Sequence, residues 1–397
     1  MRNPSAWKRK LSLPCEVGPN DLIDPAETMI SENWRNGDGL LSLDRISPRQ
    51  ALVLVSAVGL LVAFGLTLAL SAGPPTPRPG GGADARLYEA VIRDVAQGVP
   101  YAAAAAREHR VARAPLRPFV AVRPPLLAEG LASLPNATIR AGVLDVLAAA
   151  TFGGWAWRLR ALRRAPVRYA WALALLAGGI CVALGGGAYL FHEVWAGLLI
   201  SLSLALRTPR NWAPSVAVGL LAALLRELAF PFLAAMAFVA LLERRRLEAM
   251  AWSVALLVAG LALAAHAAAV ASVVTASDLA SPGWTSFGGW AFILHLTQFN
   301  GFLLNAPFWL PAVLAPATLL GLVFWTEGEG GLGRRVGFVV LGYTLAFCVV
   351  GRADNDYWGL LLSPLLPLGL IRLDRVAASL LAACSRGFGR PAAVGRS

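Results

Sequence analysis

Between residues 51 and 372 of this 397-residue chain, ionisable side chains are scarce and gather at the edges of long apolar blocks. Asp84 follows directly on the Pro/Gly stretch GPPTPRPGGGA at 73–83. His192 and Glu193 stand just before the apolar run 194–206, and Arg226 and Glu227 interrupt the apolar stretch 212–242. Arg352, Asp354, Asn355 and Asp356 form a fourth group, ahead of 357–371. Carboxylates from two separate segments, flanked by arginine, suit either a general base or a pair of oxygen ligands for a divalent cation. Asp84 and Glu193 are the candidates for both roles, with His192 beside them. Arg226 and Arg352 suit a phosphate, because the planar guanidinium donates two parallel hydrogen bonds, and Asn355 and Asp356 lie close enough in sequence to share that site. The plainer alternatives are a helix cap for Glu193 or Asp356 and a structural ion pair for Arg226 with Glu227.

Such residues need elements to hold them. The chain is 57% hydrophobic and 15% charged, against roughly a quarter charged in soluble proteins. Its apolar blocks approach the ~20 residues that cross a ~30 Å hydrocarbon layer. The expected fold is therefore all-α, a polytopic transmembrane bundle of about ten segments, several of them short. The first segment is 51–72, and the others lie near 138–158, 169–190, 194–206, 212–226, 228–242, 249–272, 303–325, 335–351 and 357–371. The pieces between 194 and 242 read as tilted pairs or, over 212–242, as one helix broken at Arg226, Glu227 and Pro231. Residues 1–50, polar and proline-bearing, read as a partly disordered cytoplasmic tail; 51–372 form the membrane domain, and 373–397 a second cytoplasmic tail. The polar loop 73–137 carries Leu87, Val91, Val95 and Val99 at helical spacing, so it is expected to be helical and to dock on the bundle.

Orientation follows from arginine. Of the 35 basic residues only Lys8 and Lys10 are lysines, and the net charge of +12 is carried largely by short loops: Arg158 to Arg168, Arg207 and Arg210, Arg244 to Arg246, and Arg334 with Arg335. The positive-inside rule places these loops and both termini in the cytoplasm. This distribution describes membrane orientation and argues against nucleic acid as a partner. Trp284, Trp290, Trp309, Tyr357 and Trp358 fall near outer block ends, as interfacial aromatic belts do. Cys15, Cys181, Cys348 and Cys384 form no metal spacing and no C-x-x-C pair, so no disulfide framework is expected.

The order of first helix, outer loop opening on an aspartate, Asp-x-x-x-Tyr and Gly-x-Pro-Tyr resembles the GT-C class of membrane glycosyltransferases. Here that stretch is DARLYEAVIRDVAQGVPY (84–101), followed by VRPPLLAEGLASLP (122–135). With HEVWAGLLISLSLALR (192–207), LLRELAFPFL (224–233) and GRADNDYWGLLLSPLLPLG (351–369), it looks like bacterial relatives of the dolichyl-phosphate-mannose protein mannosyltransferases, over roughly 50–372. The resemblance implies sugar transfer from a polyprenyl-phosphate donor to a glycan, lipid or protein acceptor at the outer face of a bacterial inner membrane. It places Asp84 and Glu193, with His192, at the catalytic centre, and Tyr88 and Tyr101 against the substrate. Alanines at 83 and 85 replace the paired acidic motif often seen in the first loop, and acceptor recognition has no counterpart here.

Two other classes fit a helical bundle. A lipid or sugar transporter would place charge in mid-helix or show internal symmetry, and the blocks show neither. A non-catalytic membrane protein of envelope assembly would fit the missing acidic pair. Topology is the first thing to test: reporter fusions after Gly82 and after Arg164 should read outside and inside, and reversed readings would overturn the outer-face assignment.

Overall fold

A computed structural model of the chain describes residues 43, 46–71, 81–325 and 331–388. The N-terminal segment expected to be a disordered tail falls almost wholly outside them. The described residues are helical, with isolated bridges at Arg117–Ala280 and Thr285–Val350 and no strand. Helices run in the order α1 (Pro48–Ser71), α2 (Gly81–Ala96), α3 (Tyr101–Val111), α4 (Pro125–Ala132), α5 (Ala137–Arg158), α6 (Pro166–Ile180) and α7 (His192–Leu206). They continue with α8 (Ala213–Leu225), α9 (Phe230–Leu242), α10 (Arg246–Ala271), α11 (Gly289–Gln298), α12 (Trp309–Val323), α13 (Leu332–Val349) and α14 (Leu373–Phe388). Prolines at or just inside their starts open α4, α6, α8 and α9, where the missing N–H is no loss. Asn136 caps α5 by accepting from the Ile139 amide at 2.9 Å. Five helices are long and apolar enough to cross a membrane: α1, α5, α6 with its 3-10 extension to Leu184, α10 and α13. Four shorter apolar helices, α7, α8, α9 and α12, pack among them.

Polar contacts define two ends. At one, Arg207 after α7 grips Glu248 of α10 through Nε (3.0 Å) and Nη2 (2.8 Å). Arg334 and Arg335 of α13 reach Glu243, and Arg335 also reaches Glu248 at 3.2 Å. Arg245 donates to the Pro209 carbonyl at 2.9 Å. These bonds put the start of α8 and the end of α9 at the same, arginine-rich end, so the two helices form an antiparallel pair. A single broken helix over 212–242 is thereby ruled out.

The expected last segment, 357–371, is not an α-helix. It runs as two 3-10 stretches, Ala353–Leu361 and Leu366–Arg372, with Leu361, Leu365 and Leu368 fully buried. Irregular backbone at membrane depth is tolerated only inside protein, and glycines make room for it. A Cβ at Gly179 of α6, Gly197 of α7 or Gly321 of α12 would strike the backbone at Ser363, Leu360 and Gly369 respectively. Ser363 Oγ also donates to the Gly179 carbonyl at 2.7 Å. Proline at 364 and 367 and the tight pitch explain why apolarity alone misread the segment. Two further corrections concern the ends of the chain and a loop. Residues 373–388, expected as tail, form α14, which presses Val376, Leu380 and Ala383 against Ala51 of α1 and Phe324. Residues 289–298, expected as loop, form α11, whose Phe292, Ile293 and Leu294 are buried.

The loop after α1 docks as its spacing predicts. Leu87, Val91 and Ile92 of α2 are buried in the main core and Val95 packs against it. Asp278 then latches the next stretch. Its carboxylate accepts from Arg110 Nε (2.7 Å) and Nη2 (2.8 Å) and from the Thr275 amide (2.7 Å), which hold it well below the usual carboxylate range. Arg117 donates to the Asp278 carbonyl at 2.7 Å, and His266 Nε2 meets the Val122 carbonyl at 3.0 Å. Gly197→Ala and Gly321→Ala should each lower the thermal midpoint of the purified protein by an amount matching about 1–3 kcal/mol of overpacking. An unchanged midpoint in both would deny that the 3-10 chain holds the bundle together.

Candidate functional site

Arg123 is the hub of the other end. Val122 and Pro124 flank it in extended conformation, since a residue before proline is kept out of the helical region, and its carbonyl accepts from Tyr101 Oη at 2.6 Å. The side chain therefore projects from a strap rather than a helix. Nε donates to Tyr88 Oη (3.1 Å), and Nη2 donates to Tyr357 Oη (2.9 Å) and faces Glu193 Oε1 at 3.7 Å. The guanidinium also lies over the Tyr88 ring, 5.9 Å from its centroid.

Glu193 sits in the first turn of α7 with no exposed surface. Arg226 Nε donates to its Oε1 at 2.8 Å. Arg226 can do so because it breaks the chain between α8 and α9 in extended conformation (φ −150°, ψ 119°). It pairs with Glu227 as well. Glu193 Oε2 has no hydrogen-bond partner among the described residues, and neither has either nitrogen of His192. The His192 ring stands edge-on to Tyr88, centroids 5.5 Å apart. It lines a cavity of about 20 Å³, room for one or two waters, together with Tyr88, Tyr101, His109 and Arg123.

Asp84, on the first turn of α2, lies within electrostatic range of Arg123, Glu193 and Asp354. Burial pushes its pKa above the ordinary carboxylate value, Arg123 pulls it down, and Glu193 and Asp354 raise it again, with a net rise. Among Asp84, Glu193 and Glu227 facing Arg123 and Arg226, three carboxylates meet two guanidiniums. Asp84, which makes no ion pair with any described residue, is the one whose environment raises its pKa.

The structure thus brings together Asp84, Tyr88, Tyr101, His192, Glu193 and Arg226. Arg352 stands at the margin. It is committed to Asp354 (3.0 and 2.8 Å), Ser281 Oγ (3.0 Å) and the Gly283 carbonyl (3.0 Å), tying loop 281–284 to the 3-10 turn. Asn355 Oδ1 caps that turn by accepting from the Arg352 amide at 3.1 Å, and Asp356 is buried within it. Tyr357 and Trp358, read as interfacial belt, belong to the interior: Tyr357 binds Arg123 and Trp358 is 4% exposed. Arg123 was not among the residues singled out from sequence. Its signal was an arginine directly before Pro124-Pro125 in a loop with little else to fix it. As for a divalent cation, no group of three or more His, Cys, Asp or Glu side chains converges among the described residues. A guanidinium near both Asp84 and Glu193 makes the donor set fit an anion rather than a metal.

Comparison with protein-family models, with curated proteins and with solved structures gives no match. Breaking the buried pair should be costly. Arg226→Met, which strands Glu193, should destabilise by about 3–5 kcal/mol, and adding Glu193→Gln should restore part of that loss. Equal stability of the single and double variants in thermal unfolding would show the pair to be uncoupled.

Proposed function

We propose that the protein is a membrane glycosyltransferase that moves a sugar from a polyprenyl-phosphate donor to an envelope glycan, lipid or protein acceptor. In this reading the bundle crosses a bacterial inner membrane about ten times, both termini are cytoplasmic, and the Arg123 end faces outward. The observation that carries it is the placement of Asp84 and Glu193, from two separate segments, around Arg123 with Arg226 behind. Arg123, whose Nη1 takes part in no hydrogen bond with a described residue, faces the donor phosphate. Asp84 then accepts the proton of the attacking acceptor hydroxyl as the sugar–phosphate bond breaks and the phosphate leaves on the lipid. Glu193 and Arg226 position Arg123 and His192 and touch no reacting atom. Tyr88, Tyr101 and Tyr357 fix the arginine strap.

Asp84→Asn keeps the shape and removes the base. Loss of a general base costs about 10²- to 10⁴-fold in rate, whereas loss of a cap costs only about 1 kcal/mol of stability. The purified variant should therefore unfold normally and transfer sugar that much more slowly from a polyprenyl-phosphate donor. Because burial raises the Asp84 pKa above 3.8, activity of the wild type should fall with decreasing pH at higher pH than an ordinary carboxylate would give, and Asp84→Asn should lose that limb. Normal transfer by a stable Asp84→Asn protein would remove Asp84 from the mechanism. Flux of lipid-linked sugar across proteoliposomes without transfer would favour a transporter.

A further inference from the structure

A second feature lies at the opposite, arginine-rich end and is independent of the glycosyl-transfer reading. Where α6 begins and the 3-10 chain turns into α14, an open groove of about 570 Å³ is lined by Val167, Arg168, Trp171, Leu370, Asp374 and Arg375. Its wall is apolar and outward-facing: Val167 is 83% and Trp171 51% exposed, one turn apart on α6. Because α6 is apolar and long enough to cross a membrane, such side chains face acyl chains rather than water. Its head is basic. Arg168 Nη2 donates to Asp374 Oδ2 at 3.0 Å, Arg372 lies within electrostatic range of Arg168, Arg375 and Asp374, and Arg375 makes no hydrogen bond or ion pair with any described residue. Arg168 and Arg375 thus set two guanidinium groups against one carboxylate, Asp374, beside the outward-facing Trp171.

We infer that this groove binds an anionic phospholipid, its phosphate held by Arg168 and Arg375 and one acyl chain lying along Val167 and Trp171. Charge complementarity selects the anion, and the apolar wall selects a lipid over a free ion. Trp171 at the head of a spanning helix suits the interfacial depth of a glycerol backbone. Arg375 suits the role because no described residue forms a hydrogen bond or ion pair with it. The groove also sits on the seam joining α6 to α14, so an occupying lipid would staple the amphipathic helix to the bundle.

The full-length protein in detergent should show a saturable thermal shift and retained lipid in native mass spectrometry with phosphatidylglycerol, and neither with phosphatidylcholine or inorganic phosphate. Arg375→Gln should weaken phosphatidylglycerol binding about fivefold, and Arg168→Gln/Arg375→Gln roughly the square of that. Arg164→Gln, an exposed arginine that does not line the groove, should bind as the wild type does. Since Arg375 makes no hydrogen bond or ion pair with any described residue, its substitution should leave folding intact and decides the matter even where the double variant is unstable. Undiminished phosphatidylglycerol binding by Arg375→Gln would overturn the inference, as would an inorganic phosphate shift equal to that of the lipid.

Discussion

Glu193 is a carboxylate with no exposed surface at the head of an apolar helix, and removing an ion from water costs several kcal/mol unless partners replace the hydration. Those partners dictate much of the chain around it. Arg226 must leave helical geometry to reach Glu193, so α8 and α9 become two helices rather than one. Arg123 must arrive from the loop after the first helix, so that loop cannot be a slack linker. The Asp278 latch, the Tyr101 hydrogen bond to the Arg123 carbonyl and the buried face of α2 all fix the strap that carries it. Tyr357 closes the set from the 3-10 chain, which itself depends on glycines in α6, α7 and α12. One buried charge thus links the Arg123 strap, the short helices and the irregular core.

The short helices gain meaning from the same constraint. Glu193 and Arg207 mark the two ends of α7, and at about 1.5 Å per residue they are separated by about 21 Å. A hydrocarbon layer is about 30 Å thick. Either the bilayer thins beside α7 to α9 or the charged clusters lie below its surface. In both cases the neighbouring helices α5 and α10 are long enough to cross the whole layer. A polar site recessed between them is shielded from bulk water, which strengthens charge–charge interactions.

How much of this could be read in the sequence depended on whether the signal was local. Charge-free blocks such as 51–72 announce spanning helices because solvent, not neighbours, decides them. The period of Leu87, Val91 and Val95 announced a docked helix for the same reason. Asp84, Glu193 and Arg226 were legible because a charge at the edge of an apolar block always needs a partner. What failed was set by contacts far away in sequence. The 357–371 segment is as apolar as a helix, but its backbone is shaped by Gly179, Gly197 and Gly321. Tyr357 and Trp358 look like belt residues until the fold turns them inward. Arg123 is one arginine among many, and only the Asp278 latch and Pro124 reveal why it matters.

The two charged ends differ in how fully their buried carboxylates are matched. At the arginine-rich end Glu243 and Glu248 are enclosed by Arg207, Arg334 and Arg335, an arrangement in which each carboxylate is matched several times over. At the Arg123 end, Glu193 Oε2 and the two His192 nitrogens are buried without partners among the described residues. An unmatched buried polar atom costs about 1–3 kcal/mol, a cost without structural benefit and one that a bound molecule with hydroxyl groups would relieve. Glu193 Oε2 is an acceptor lacking a donor, and one nitrogen of a neutral His192 is another. Under the proposed transferase reading, these acceptors beside Asp84 and Arg123 would complement the hydroxyl groups and phosphate of a sugar donor.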